Sequence, residues 1–93
     1  MGKMTKEKLL ESLEKEKVDM DLSNQYVSAF LEYQEAQANI EKNGSVVAHP
    51  RTANIMPNPY LKIRDAADAR MLRIRDKIGA ENADWVWRLW ASK

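Results

Sequence analysis

Four cations in the stretch "PYLKIRDAADARMLRIRDKIG" recur at helical spacing. Wound at 3.6 residues per turn, Lys62, Arg70, Arg73 and Lys77 fall on one flank of an apolar stripe, while Asp65, Asp68 and Asp76 lie mostly on the far side. A row of guanidinium and ammonium groups can follow the phosphates of a nucleic acid, and Arg51, in the connection upstream, extends the candidate nucleic-acid-binding set. The competing reading is that these long stems lie along the edge of a buried seam with their charges in water, as on most amphipathic helices; on the residues alone it is the stronger one. Asp65 and Asp68 stand one turn apart, but Arg64 crowds them, so they read as a solvated face rather than an acid/base pair. The sequence has no glycine-rich phosphate loop, no nucleophile–histidine constellation and no carboxylate cluster aimed at a metal. It reads as a protein without catalytic residues, metal or cofactor.

Composition narrows the class. The 93 residues make one domain near the lower end of what folds alone, with three tryptophans, three tyrosines and one phenylalanine as large apolar material. There is no cysteine and one histidine, so neither a disulfide framework nor a His/Cys metal site is expected. No apolar run approaches the roughly 18 residues of a spanning helix, and the start "MGKMTKEKLLESLEKEK" has neither a signal-peptide core nor a myristoylation pattern. The expectation is a soluble intracellular protein without membrane contact. The net charge of +1 is unevenly spread. Residues 1–20 are neutral; residues 21–44 carry one Lys against four acids; residues 45–93 carry nine Lys or Arg against five acids. An acidic middle and a basic end suit either mutual attraction between subunits or a nucleic-acid partner.

The elements that must position these charges are helices. Residues 1–20 form a short N-terminal helix, with Thr5 as N-cap, Leu9, Leu13 and Met20 on one side and Leu10 beside them, its polar positions alternating Lys and Glu. Asp19 or Asp21 caps the next helix, which runs to about Asn43. Its stripe is Leu22, Tyr26, Ala29, Tyr33, Ala36 and Ile40, widened by Phe30, and Asn43-Gly44 supplies a left-handed stop. In "MPNPY", Pro57 holds Met56 extended, Asn58 is a good N-cap, and Pro59 occupies the first helical position, where its missing N–H costs nothing. From there the stripe is Tyr60, Ile63, Ala67, Met71, Ile74 and Ile78, closed by Gly79. Two helices of about twenty residues, each roughly 30 Å long, with Ala29, Ala36 and Ala67 on the seam, make a close antiparallel hairpin over residues 21–79. The connection at residues 45–57 is long for a helix–helix link, and its favoured reading is a small β-hairpin of Val46-Val47 against Ile55-Met56, an unpaired ordered loop being the alternative. His49, at its tip, reads as a turn residue. The expected class is therefore mainly all-α.

The last segment, residues 80–93, is rich in tryptophan. With Asn82 as N-cap, Ala83, Val86, Trp87 and Trp90 share one face, while Trp85 and Leu89 point elsewhere. No single stripe takes all three rings, so at least one needs a surface outside its own hairpin. Trp85, Trp87, Trp90, Tyr26, Phe30 and Tyr33 are thus the expected oligomer or partner interface. A neighbouring subunit is preferred as the cover; the alternative is a tail folded over its own seam with Trp85 partly wet.

From about Asp19 to Gly79 the chain resembles the small subunit of the tailed-phage terminase, the DNA-packaging factor. The resemblance rests on the order of parts: an aspartate-led helix carrying "QYVSAFLEYQEAQANIEKNG", a "GSVV" turn, then "PNPYLKIRDAADARMLRIRDKIG". Its most specific piece is Asn58, Pro59, Lys62 and Ile63 followed by Ala66-Ala67. The resemblance implies a non-catalytic subunit that assembles into homo-oligomeric rings in the infected bacterial cytoplasm. It also implies that the subunit engages double-stranded viral DNA and recruits or regulates a large subunit with ATPase and nuclease activity. That large subunit is the second candidate cover for the tryptophan tail. The family pattern continues after the glycine with a Leu-Thr-Pro-Ser segment and an Arg-rich end, where this chain has "AENADWVWRLWASK". The N-terminal segment is too short for a separate helix-turn-helix domain, so no recognition helix is named. The rival class is a helical protein–protein adaptor or antitoxin-like binder without DNA activity, which would share the hairpin and the tryptophan tail.

Overall fold

The computed structural model describes residues 5–48 and 51–91. Four helices and one small hairpin follow in the order α1 (Lys6–Lys15), α2 (Met20–Asn43), β1 (Val46–Ala48), β2 (Ile55–Pro57), α3 (Tyr60–Ile78) and α4 (Ala80–Ala91). The fold is mainly all-α, as the periodicities require. His49 and Pro50, at the expected tip, lie outside the described residues.

Local chemistry sets each boundary. Thr5 caps α1 by accepting from the Lys8 N–H at 3.3 Å. The helix ends in a Schellman turn: Val18 N–H donates to Leu13 O and Lys17 N–H to Glu14 O, with Lys17 at φ 60° in the left-handed position that glycine usually takes. Asp19, rather than Asp21, caps α2, its carboxylate accepting from Leu22 N–H at 3.0 Å. At the far end Gly44 turns the chain at φ 86° while its N–H closes on Ile40 O.

The β-hairpin forms as expected, β1 antiparallel to β2 with Val46 opposite Pro57, Val47 opposite Met56 and Ala48 opposite Ile55. Asn58 does more than cap a helix. Buried almost completely, it donates from Nδ2 to Asn39 Oδ1 (3.0 Å) and Gly44 O (2.9 Å), accepts at Oδ1 from Tyr60 N–H (2.9 Å), and donates its own N–H to Ser45 O. It pins the end of α2, the base of the hairpin and the start of α3 together. Pro59 already has helical torsions, and the helix proper begins one residue later, at Tyr60.

The core lies between α2 and α3 and is closed by α1 and α4. Leu9 and Leu13 from α1, Tyr26, Val27, Ala29 and Phe30 from α2, Met71, Ile74 and Ile78 from α3, and Ala83 and Val86 from α4 form one cluster. Three stripe assignments change. Met20 is exposed because it opens α2 instead of extending α1. Ile63 is exposed on the edge of the α3 stripe. Val27, outside the expected stripe, is fully buried in the cluster that also takes Leu9 and Leu13 of α1. No described helix is long and apolar enough to cross a membrane.

Candidate functional site

The antiparallel register of α2 and α3 gathers three of the predicted cations at one groove. Arg70, Arg73 and Lys77 from α3 and Gln25 from α2 wall a shallow depression of about 310 Å³ with Ile74 at its base. These positions recur at three- and four-residue intervals, so they stack along one side of α3. The buried side of the same helix, through Ala67, Met71, Ile74 and Ile78, fixes which way that flank faces.

Arg70 is not free of its own chain. Its Nη1 donates to Glu32 Oε2 at 2.7 Å, both groups being substantially exposed. Lys62, Arg73 and Lys77 make no ion pair among the described residues. Lys62 stands eight residues before Arg70, about 12 Å along the helix. There it borders an apolar groove of about 280 Å³ with Met56, Pro57, Pro59 and Leu61. Arg51 is exposed on the connection between the strands, apart from the groove. The structure therefore joins Arg70, Arg73 and Lys77, places Lys62 further along the same flank, and sets Arg51 on a different element.

The other flank of α3 is spoken for. Arg64 reaches Asp65 (3.3 Å) and donates to Gln37 Oε1 (3.4 Å), and Arg75 reaches Asp84 of α4 (3.5 Å). Gln25 and Glu32 as groove neighbours had no local signal in the sequence, since they arrive through helix pairing. Among the described residues no group of three or more His, Asp or Glu could hold a metal ion.

Most of the aromatic set packs together within the protomer. Gly79, at φ 93°, reverses the chain so that α4 starts at Ala80 and lies back on its own hairpin. Asn82 is not its N-cap; its Nδ2 donates to Ile78 O and closes the end of α3 instead. Trp87 and Trp90, three residues apart, meet Phe30 edge to face with ring centroids 4.7 and 5.4 Å away. Tyr33 adds a third edge contact to Trp87 at 5.8 Å, and Trp87 Nε1 donates to Tyr26 Oη at 3.0 Å. Burial is the main reason the Tyr26 phenol titrates above its ordinary range; the Trp87 hydrogen bond works the other way. Tyr26 and Phe30 are thus enclosed within the protomer, the arrangement given above as the alternative, with the tail folded over its own seam. Trp85 remains partly exposed, at 37%.

Comparison with known proteins adds the family. A family model described as phage terminase, small subunit, matches residues 4–84, which includes every element from α1 to the first turn of α4. Neither the curated proteins nor the solved structures gave a match. With most of its length in that match, the chain belongs to the phage terminase small subunit family and has its role in phage DNA packaging.

Proposed function

We propose that this chain is the non-catalytic DNA-recognition subunit of the packaging machinery. It engages the phosphates of double-stranded viral DNA through Lys62, Arg70, Arg73 and Lys77, with Arg51 adding a contact from the hairpin. It acts as a homo-oligomeric ring in the cytoplasm of the infected bacterium and recruits or regulates the large subunit that carries ATPase and nuclease activity. The observation that supports this reading is the clustering of Arg70, Arg73 and Lys77 at one groove, where Arg73 and Lys77 make no ion pair among the described residues and Arg70 is held by the exposed Glu32. Contacts of this kind hold the backbone and carry no base readout, so binding is sensitive to salt and tolerant of sequence.

The test is fluorescence anisotropy of labelled duplexes at several salt concentrations. The triple variant Lys62→Ala, Arg73→Ala, Lys77→Ala is expected to bind all sequences more weakly, with the salt slope flatter by roughly 0.9 for each phosphate no longer neutralised. Binding that ignores both salt and these substitutions would sink the DNA reading. Co-purification with a large terminase subunit tests the second half; a complex with some other protein and no DNA affinity would favour the adaptor class.

A further inference from the structure

The described chain is longer than its size requires. Its radius of gyration is 15.5 Å and its extents are 51 × 32 × 17 Å, whereas a compact domain of this length has a radius near 12 Å. The two ends carry different unpartnered surfaces.

One end is the β-hairpin. Its register puts Val46 and Ala48 of β1 on the same side as Ile55 and Pro57 of β2, and all four are exposed while Val47 and Met56 are half-buried beneath them. Ile55 is 80% and Val46 53% exposed, so this side of the sheet is wholly apolar and faces solvent. Cations border it: Arg51 is exposed on the connection between the strands, and Lys62 lines the groove beside Met56 and Pro57.

The second surface lies where α4 crosses the start of the hairpin core. Phe30, against which α4 packs, is thirteen residues before Asn43, about 20 Å along α2 from the β-hairpin. There Met71, Leu72, Tyr26 and Trp87 line a depression of about 160 Å³ rimmed by Asp68, Arg75 and Asp84. Cavities of about 150 Å³ take a benzene-sized group, so one aliphatic side chain fits. Leu72 is 59% exposed although its neighbours Met71 and Ile74 are buried. Arg75 is drawn to Asp84, and Asp68 makes no ion pair among the described residues, leaving the rim acidic. One apolar surface with a basic border and another with an acidic border complement each other in both hydrophobicity and charge.

We propose that the apolar face of the β-hairpin in one copy of this chain docks on the Leu72–Trp87 depression of the next copy, with Ile55 as its anchor. The two surfaces are different and lie apart on the molecule, so the contact is head to tail, the type that closes into a ring or propagates. Leu72 projects about 100° round α3 from Arg73, so the groove walled by Arg70, Arg73 and Lys77 stays open to DNA. The inference rests on the self-association part of the proposed function and identifies the surfaces that carry it.

Native mass spectrometry of the full chain tests both levels separately. Ile55→Asp and Leu72→Asp each alter an exposed side chain, and each is expected to give a monomer with the wild-type helical circular dichroism at 25 °C, melting lower only by what association contributes. An equimolar mixture is expected to give a dimer and nothing larger, because each variant retains the surface that the other lacks. A wild-type chain that is monomeric at micromolar concentration overturns the self-association reading itself. A multimeric wild type with Ile55→Asp equally multimeric overturns only the hairpin assignment. A monomeric Ile55→Asp beside a fully multimeric Leu72→Asp shows that the hairpin docks elsewhere and overturns the pairing. Should either aspartate variant lose helical signal at 25 °C, Ile55→Thr and Leu72→Gln are read by the same criteria.

Discussion

Phe30→Ala is the sharpest perturbation of the fold, because Phe30 is where the C-terminal helix meets the rest of the chain. The ring is fully buried and is met edge to face by Trp87 at 4.7 Å and Trp90 at 5.4 Å. Truncating a buried phenylalanine costs about 3–5 kcal/mol from lost transfer energy and the cavity left behind. Each edge-to-face pair adds about 0.5–1.5 kcal/mol beyond area burial, and Trp87, being partly exposed, belongs at the low end of that range. A domain of this size has little more than about 5 kcal/mol to lose. The expected result is a melting temperature lower by roughly 12 °C or more, since each kcal/mol is worth about 4–8 °C here. Circular dichroism gives the melt, and tryptophan emission should shift to the red as Trp87 and Trp90 become wet. A cycle of Phe30→Leu and Trp87→Leu isolates the pair, with an expected coupling of about 0.5–1 kcal/mol. Two results would refute the reasoning. A loss under about 0.5 kcal/mol would mean that Phe30 is not a packed core ring. Tryptophan emission that stays at the wild-type maximum in Phe30→Ala would mean that Trp87 and Trp90 do not pack on that ring.

Asn58→Ala removes three side-chain hydrogen bonds and leaves Asn39 Oδ1 and Gly44 O short of a donor; a loss of about 1–3 kcal/mol is expected in urea unfolding, and a neutral result would show that the clasp is dispensable. Glu32→Gln releases Arg70 from its 2.7 Å pair, so DNA affinity should rise and the salt slope steepen by roughly 0.9, while stability, as for most exposed pairs, moves by less than about 1 kcal/mol; unchanged affinity would remove Arg70 from the DNA face. Burial raises the Tyr26 pKa from 10.0, so the folded chain holds that proton more tightly than the unfolded one. Its contribution is complete below the unfolded value and is lost as pH rises through the folded one. Wild type should therefore lose stability relative to Tyr26→Phe above about pH 10, and parallel curves from pH 8 to 11 would contradict this.

The features legible in the sequence are those with local causes. The two long helices announce themselves through Leu22 to Ile40 and Ala67 to Ile78, the stop at Gly44 through its left-handed torsion, and the β-hairpin through Val46-Val47 and Ile55-Met56. The Schellman turn after α1 is invisible because Lys17, a residue with no liking for φ 60°, occupies the glycine position. Asn58 is recognisable as a capping residue, but its bonds to Asn39 and Gly44 depend on the end of α2 arriving beside it. The seat of the tail is hidden for a related reason. A helical wheel shows that three tryptophans cannot share one stripe, but it does not show that Phe30 and Tyr33 leave a seat for two of them once Gly79 has turned the chain back. In the candidate site, spacing alone puts Lys62, Arg70, Arg73 and Lys77 on one flank; the carboxylate that engages Arg70 sits 38 residues away.

That carboxylate bears on how the proposed site has to work. With Arg70 held by Glu32, Lys62, Arg73 and Lys77 are the α3 cations of this flank without an ion pair among the described residues. Three phosphate contacts give a salt slope of about −2.7, a loss of roughly forty-fold between 50 and 200 mM salt. A single protomer would therefore hold DNA only weakly under physiological salt, and its net charge of +1 adds little long-range attraction. In the proposed assembly, copies joined head to tail would repeat the same strip along one surface, so each bound protomer would raise the effective concentration of DNA at the next. Weak contacts then sum to firm retention, while any one of them can release and re-form as the duplex moves. In this scheme the hairpin and the basic strip are coupled: substituting Ile55 would weaken DNA binding without touching a cation, by reducing how many strips act together.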